Sequence, residues 1–299
     1  MSAPAVAAAE AGARPSADGT LGSVPGTIAQ ALILSRYQLR DYLRARRFVL
    51  MMSIVGVIGA ILTFILSYYH DSDTVRGLTS SSNAFYGSLW AGGVTVVIVF
   101  SGIIFGGDAI AGEFQNKTGY FLMGLPIRRA SVYVGKFLAA LAASVVAVLV
   151  YLAILIANGA YYLGADAFPL SLGESFVISI LYLLALLGAV FLFSSMFKNS
   201  LYAVLVVAVL FLFGFTLIQA LVTALIKVEP WFIITYAETV ISYPFLSTLP
   251  AHVSTSTGPR GLTTTTYNPT YLEGLVIMAG YFVLTAVAGL FFFEREEFT

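Results

Sequence analysis

Long stretches without a charged residue alternate along this chain with short polar segments. Six stretches are long enough to cross the hydrocarbon core of a bilayer, which takes about 20 apolar residues in a helix. Their ranges are 48–69, 77–107, 137–165, 175–197, 199–226 and 274–293. The pattern therefore predicts an all-α polytopic membrane protein with a six-helix transmembrane domain over 48–293. The second helix is expected to start near Leu89, because 78–88 is rich in Ser and polar residues.

The segment 27–47 has the pattern of an amphipathic helix, and Thr27 is a plausible N-cap. Four arginines recur at spacings of four, four and three, which places them on one helical face. These arginines are Arg36, Arg40, Arg44 and Arg47. A basic amphipathic helix of this kind lies in the membrane interface, with its arginines at the lipid headgroups. The alternative is an ordinary start of the first span.

The two ends of the chain are predicted to lie outside the membrane. Residues 1–26 are rich in Ala, Gly, Pro and Ser, and they lack the basic start and apolar run of a signal peptide. We expect a disordered tail there. Residues 294–299 form a short charged tail after the last span.

Composition supports the membrane assignment and excludes several classes. The chain is 59% hydrophobic and 10% charged, whereas soluble domains carry about 25% charged residues. The net charge is zero, which suggests no nucleic-acid partner. The chain has no Cys, and its two histidines, His70 and His252, are too few and too far apart in sequence to suggest a zinc site. We therefore predict no metal site.

Signatures of catalysis are also missing from the sequence. The chain has no G-x-x-x-x-G-K-[ST] phosphate loop, so it is not expected to hydrolyse ATP itself. It has no H-E-x-x-H motif, and its two histidines are expected to be solvated loop residues. We predict no catalytic residues and no cofactor in this chain.

The distribution of Lys and Arg predicts the orientation in the membrane. Twelve of the fifteen fall on one side, which receives the N-terminal region, the loop 108–136, Lys198 and the C-terminal tail. The positive-inside rule then places both termini in the cytoplasm, with the cell membrane as the location. The large loop 227–273 lies on the outer side, and its aromatic residues suit the headgroup level. Its apolar part, 231–245, is too interrupted to span and could form short interfacial or re-entrant helices.

The spans show charges only at their ends. Ion-coupled carriers place ionisable residues within the membrane, so a route through these helices would be lined by apolar, aromatic and small polar residues. That lining suits an amphipathic or lipid-like cargo, and it requires an energy source outside the chain. The alternatives are a self-sufficient channel or ion-coupled carrier, and a non-transporting scaffold.

The stretch 107–136 collects six of the thirty charged residues. A helix could continue from Asp108 to Phe121, with Glu113 and Lys117 four residues apart in the favourable order. Pro126 would then break it, since the residue before Pro avoids the α region. The positive-inside rule explains the bases, whereas a surface that docks another protein would also explain the acids and the apolar side chains.

The stretch carries a recognisable motif. It contains D-x-x-x-x-E, then K-T-G-Y-x-L-x-x-x-P-I-R-R, then a span opening at Gly135–Lys136. With the amphipathic first helix, the six spans, the Ser-x-Pro-Phe element at 242–245 and the Phe-Glu-Arg-Glu tail, this resembles the membrane subunit of ABC transporters of the type-2 permease family.

The resemblance implies partners and roles. Two permeases pair, as a homodimer or a heterodimer, and separate ATP-binding cassette subunits, which hold ATP and Mg, dock beneath them. The loop 108–136 would act as the coupling helix, with polar contacts, apolar groove-filling residues and anchoring arginines. Its implied coupling residues are Asp108, Glu113, Asn116, Lys117, Thr118, Phe121, Leu122, Arg128 and Arg129. Spans two and five would line the route, with Phe100, Phe211, Phe213 and Phe215 as candidates.

Overall fold

The computed structural model describes residues 26–116, 127–164, 168–257 and 263–295. These residues form mostly helices and one short hairpin. The elements are α1 Thr27–Arg44, α2 Arg46–Tyr68, α3 Asp73–Leu78, α4 Ser82–Gly106, α5 Ala111–Gln115, α6 Arg129–Leu163, α7 Leu170–Met196, α8 Ser200–Ile226, α9 Ile234–Ala237, α10 Tyr271–Arg295, and the strands β1 Val253–Thr257 and β2 Thr263–Tyr267.

Six helical spans within the described ranges are long and apolar enough to cross a membrane. Five are α2, α6, α7, α8 and α10, and the sixth combines α4 with α5 over Ser82–Gln115. This confirms the predicted all-α architecture with six transmembrane helices. The segments 1–25 and 296–299, which make up most of the two predicted tails, lie outside the described residues.

The centre of the bundle is built by α4 and α7. In the most apolar window of the α4 span 72% of the residues are buried, against 17% in α8. Large side chains of α4 fill this centre completely, among them Phe85, Tyr86 and Trp90. The helices α2, α8 and α10 lie at the periphery and expose wide apolar faces, as lipid-facing helices do.

The second span begins earlier than the sequence predicts, at Ser82 instead of near Leu89. The Ser81 hydroxyl accepts a hydrogen bond from the backbone N–H of Ala84 and so caps the helix. Phe85 and Tyr86, which fall in the supposed loop, are fully buried on the first turns of α4. Tertiary burial of these aromatics outweighs the polar composition of the segment.

The first helix, α1, packs along α6. Gly135 allows the close approach, since a methyl group there would lie 2.9 Å from the Ala31 carbonyl oxygen and 3.0 Å from Leu34. α1 ends at Arg44, because Ala45 has an extended backbone with ψ 150°. Arg47, which the sequence groups with α1, therefore lies on α2.

The segment Ile234–Phe245 re-enters the bundle. It comprises α9 and the 3-10 helix Glu238–Phe245, and it packs against α4, α7 and α10. Ser175 on α7 joins these parts, because its hydroxyl accepts from Trp90 Nε1 at 3.0 Å and donates to the Ile241 carbonyl at 2.6 Å. The segment is therefore buried among the spans, as a re-entrant segment would be.

The Thr-rich part of the loop 227–273 forms an antiparallel hairpin, in which Val253 pairs with Tyr267 and Thr257 with Thr263. Thr has a high strand propensity, which favours this arrangement. The Tyr267 hydroxyl donates to the carbonyl of Lys227 at the end of α8, so the hairpin is fixed to the bundle.

Candidate functional site

A short turn follows α4 and carries the two acidic residues of the motif, Asp108 and Glu113. The chain leaves α4 at Gly107, turns over 107–110, and forms one helical turn, α5. Gly106 and Gly107 permit this, because a methyl group at either position would collide with Val190 or with the Ile103 carbonyl. We call residues 107–116 the charged turn. Of the predicted helix from Asp108 to Phe121, the first three residues belong to the turn and Ala111–Gln115 are helical, whereas 117–121 lie outside the described residues.

Two ion pairs hold the charged turn. Arg47 Nη1 lies 2.8 Å from Asp108 Oδ1, which joins the turn to α2. Lys136 Nζ pairs with the Glu113 carboxylate and also donates to the Ala109 carbonyl at 2.9 Å, which joins the turn to α6. Lys136 is the eighth residue of α6, and its side chain is only 6% exposed. A buried ammonium needs such partners, because an unpaired buried charge is costly.

Neutral hydrogen bonds connect the same region to three more helices. The Ser194 hydroxyl on α7 accepts from the backbone N–H groups of Ile110 and Ala111, at 3.1 and 3.2 Å. The Gln115 side chain accepts from the backbone N–H of Ser200, at the start of α8. The Tyr42 hydroxyl on α1 donates to the Phe105 carbonyl in the last turn of α4 at 3.0 Å. The turn is therefore in contact with α2, α6, α7 and α8, and α1 is bonded to the last turn of α4 directly before it.

A polar cavity of about 180 Å³ opens beside the charged turn. It is lined mainly by side chains of α1 and of the turn, among them Gln38, Asp41, Tyr42, Asp108 and Asn116. Burial raises the pKa of the Tyr42 phenol well above its ordinary value, and the negative charge of Asp108 raises it further. The hydroxyl therefore stays protonated and remains a donor at neutral pH.

The structure brings some predicted coupling residues together and separates others. Asp108, Glu113 and Asn116 share the charged turn. Arg128 and Arg129 lie apart from it, at the start of α6, where the Arg128 N–H donates to Gln30 and the Arg129 guanidinium donates to the Glu294 carbonyl. The remaining predicted residues lie outside the described ranges. They are Lys117, Thr118, Phe121 and Leu122.

Sequence reasoning missed the partners of the turn. Tyr42 and Ser194 carry no charge or motif that would mark them. Lys136 was visible as an inner-side base and as the end of the motif, but not as the partner of Glu113, and Arg47 was visible only as one of the four arginines of the amphipathic segment. The other three, Arg36, Arg40 and Arg44, are exposed on α1, an arrangement open to lipid headgroups.

The four predicted route phenylalanines do not form one cluster. Phe211 and Phe215 pack edge to face with ring centroids 5.0 Å apart, and Phe100 is half-buried. Phe213 points outward and is 69% exposed. Phe211 lies in a π-helical turn of α8, Leu210–Gly214, a distortion that is frequent at functional sites.

A second cavity, of about 170 Å³, lies between α4, α7, α8 and the re-entrant segment. Phe211, Thr95, Thr216 and Glu238 are among its lining residues. The Glu238 carboxylate accepts a hydrogen bond from the Tyr182 hydroxyl at 2.8 Å, and Tyr182 is the thirteenth of the 27 residues of α7. A carboxylate thus reaches the middle of the bundle from the loop. From the sequence, charges are expected only at the ends of the spans. This carboxylate is not anticipated there, because Glu238 belongs to the loop and not to a span.

Fold and geometry together define a multi-pass membrane protein whose spans are joined to a charged turn at one end of the bundle. The family model described as ABC-2 family transporter protein matches residues 32–298. The chain therefore belongs to this family and is a permease component of ABC transport. No curated protein sequence matches the chain.

Proposed function

We propose that the chain is the membrane subunit of an ATP-driven exporter, which moves an amphipathic or lipid-like cargo outward with energy from a separate ATP-binding subunit. The observation that carries the proposal is the charged turn, which is in direct contact with four helices, α2, α6, α7 and α8. A partner that displaces this turn would displace the helices with it.

The coupling pathway follows from the contacts of the turn. A push on Asp108 would act on α2 through Arg47, and a push on Glu113 would act on α6 through Lys136. Ser194 would pass the same displacement to α7. ATP and Mg would bind in the partner subunit, where hydrolysis takes place. This chain would contribute the docking surface and the moving helices.

The cavity around Glu238 supports the choice of cargo. It combines an apolar wall, including Phe211 and Val99, with a carboxylate and three threonine hydroxyls. A molecule with an apolar body and a polar head would satisfy both parts. Phe100, Phe213 and Phe215 remain candidates for the walls of the route.

The other partners that we propose for this chain are a second permease copy or paralogue and the lipids of the cell membrane. The peripheral helices α2 and α8 expose apolar side chains such as Val57, Phe64 and Leu205, which lipid or a second copy would cover. Both termini would lie in the cytoplasm, on the same side as the charged turn.

A charge swap tests the coupling pathway. We expect Arg47→Asp and Asp108→Arg, each alone, to lower ATP hydrolysis by the complex that copurifies with the tagged full chain in nanodiscs. The double variant should restore much of the rate of ATP hydrolysis. In a double-mutant cycle on that rate, the coupling energy between Arg47 and Asp108 should be about 1–2 kcal/mol. The physical reason is that each single reversal replaces an attractive pair, 2.8 Å apart in the wild type, by two like charges that face each other.

The matched control is the exposed pair Arg76–Asp71, which lies 3.1 Å apart on the opposite end of the bundle. Reversing Arg76 should leave hydrolysis unchanged. If no ATPase copurifies with the chain, the proposed function is wrong. If an ATPase copurifies and the single reversals at the charged turn leave its rate intact, the ATPase couples to the permease elsewhere.

A further inference from the structure

Three separate parts of the outer loop bring metal-ligating side chains together. Glu229 follows α8, His252 precedes β1, and Glu273 stands in the first turn of α10. One potential ligand atom from each lies within 4.8 Å of those of the other two. None of the three belongs to the charged turn or to the Glu238 cavity, and they are 23 and 21 residues apart along the chain.

We propose that Glu229, His252 and Glu273 form a binding site for a divalent transition metal ion, with Zn²⁺ as the ion that fits best. The protein would supply one imidazole nitrogen and two carboxylate oxygens. A water molecule would complete a tetrahedral shell, as it does where zinc has three protein ligands.

The histidine is oriented for ligation. His252 Nδ1 lies 2.9 Å from the Asn268 carbonyl oxygen, which can only accept, so Nδ1 carries the hydrogen. The neutral ring then presents its lone pair at Nε2, which lies 3.3 Å from Glu229 Oε2. Ligands about 2.0–2.2 Å from a tetrahedral zinc ion stand about 3.3–3.5 Å apart. A ligating histidine typically donates its other ring N–H to a carbonyl or carboxylate, as His252 does.

Hydrogen bonds also hold both carboxylates in place. Glu229 accepts a hydrogen bond from the Tyr236 hydroxyl through Oε1, which leaves Oε2 toward His252. Burial raises the pKa of Glu229, but hydrogen bonding, first of all from Tyr236, outweighs it and leaves the pKa below its ordinary value. Glu273 Oε2 accepts from the Thr270 N–H at 3.1 Å and lies 4.0 Å from His252 Nδ1, so its carboxylate would have to move toward Nε2 to share an ion with the other two ligands.

The donor set and its charge select the kind of ion. Two carboxylates and a neutral imidazole carry a charge of −2, and no Lys or Arg of the described residues pairs with either carboxylate. Mg²⁺ and Ca²⁺ prefer shells made of oxygen alone, whereas an imidazole with carboxylates suits zinc and its neighbours. A bound ion would join the end of α8, the hairpin and the start of α10, and would fix the outer loop over the bundle.

Metal binding by the purified full chain tests the site. After treatment with a chelator, the chain in a detergent with a neutral headgroup should bind one Zn²⁺ per chain in isothermal titration calorimetry. We expect His252→Gln and Glu273→Gln each to weaken binding at least about tenfold. His70→Gln is the matched control, since Asp71 is the one carboxylate that pairs with His70 among the described residues, and it should bind as the wild type does. Ca²⁺ and Mg²⁺ should not compete.

A second variant keeps the test decisive if the glutamine variants fold poorly. His252→Cys retains a ligand, and the chain has no other Cys. With Co²⁺ as the probe, this variant should show thiolate-to-cobalt charge-transfer absorption that the wild type lacks. Absence of stoichiometric Zn²⁺ binding, wild-type affinity in both glutamine variants, or no such absorption would overturn the proposal, and the cluster would then be an ion pair only. None of these outcomes depends on ATP hydrolysis.

Discussion

At the residue scale, the most consequential side chain is Lys136. It lies two turns inside α6, and its ammonium group is satisfied by Glu113 and by the Ala109 carbonyl. Both side chains of the pair are largely withdrawn from solvent. A buried pair contributes little net stability compared with apolar residues, but loss of one partner leaves the other charge unpaired.

We predict that Lys136→Met destabilises the protein by about 3–5 kcal/mol, because Glu113 loses its counter-ion. Lys136→Met combined with Glu113→Leu should cost less than the single change. Arg76→Gln, which breaks an exposed pair, should cost about 1 kcal/mol or less. Thermal unfolding of the purified chain measures all three. A double variant less stable than the single one would contradict this account of the pair.

At the element scale, the fit between α7 and α10 depends on glycines. A methyl group at Gly289 would lie 3.1 Å from Leu192 Cα and 3.2 Å from its backbone nitrogen, and a methyl group at Gly188 would lie 3.4 Å from the Phe282 carbonyl. Backbone atoms cannot move aside as side chains do. Small residues at such positions let transmembrane helices approach closely and gain packing energy.

We predict that Gly289→Ala destabilises the bundle by about 1–3 kcal/mol, because it overpacks the contact between α7 and α10. The control lies on the same helix. A methyl group at Gly280 meets no atom within 4 Å, so Gly280→Ala should be neutral or stabilising, since Ala favours the helix. Thermal unfolding in detergent separates the two variants. Equal effects at both positions would show that close packing against α7 does not decide which substitutions α10 tolerates.

At the scale of the whole molecule, the orientation in the membrane decides whether the charged turn can meet a cytoplasmic ATPase. The topology predicted from the sequence places the charged turn on one side of the membrane and the hairpin β1–β2 on the other. The absence of cysteine allows either end to be marked by a single engineered thiol. Asn116 and Ser254 are both exposed and suit this purpose.

We predict that Ser254→Cys reacts with a membrane-impermeant maleimide in intact cells, whereas Asn116→Cys reacts only after the membrane is opened. The basis is the positive-inside distribution of Lys and Arg. The unmodified chain, which has no thiol, gives the background. The reverse labelling pattern would invert the proposed topology and would place the charged turn out of reach of a cytoplasmic ATPase.

Much of this architecture could be predicted because hydropathy and length are local properties. Each of the six spans contains its own apolar residues, so their number followed from the sequence without any knowledge of packing. The start of α4 was misplaced, since burial of Phe85 and Tyr86 is a property of the bundle and not of the segment.

The sequence by itself determined the membrane class, the number of spans, the charge of the turn after the second span, and the family motif. Only the tertiary structure decided that Arg47 meets Asp108, that Lys136 meets Glu113, and that Glu238 reaches the middle of the bundle. The physical reason is that these pairs join residues 61, 23 and 56 positions apart. Whether these residues meet depends on which faces of the helices pack together. A helix that is apolar on all sides does not show in its sequence which face that will be.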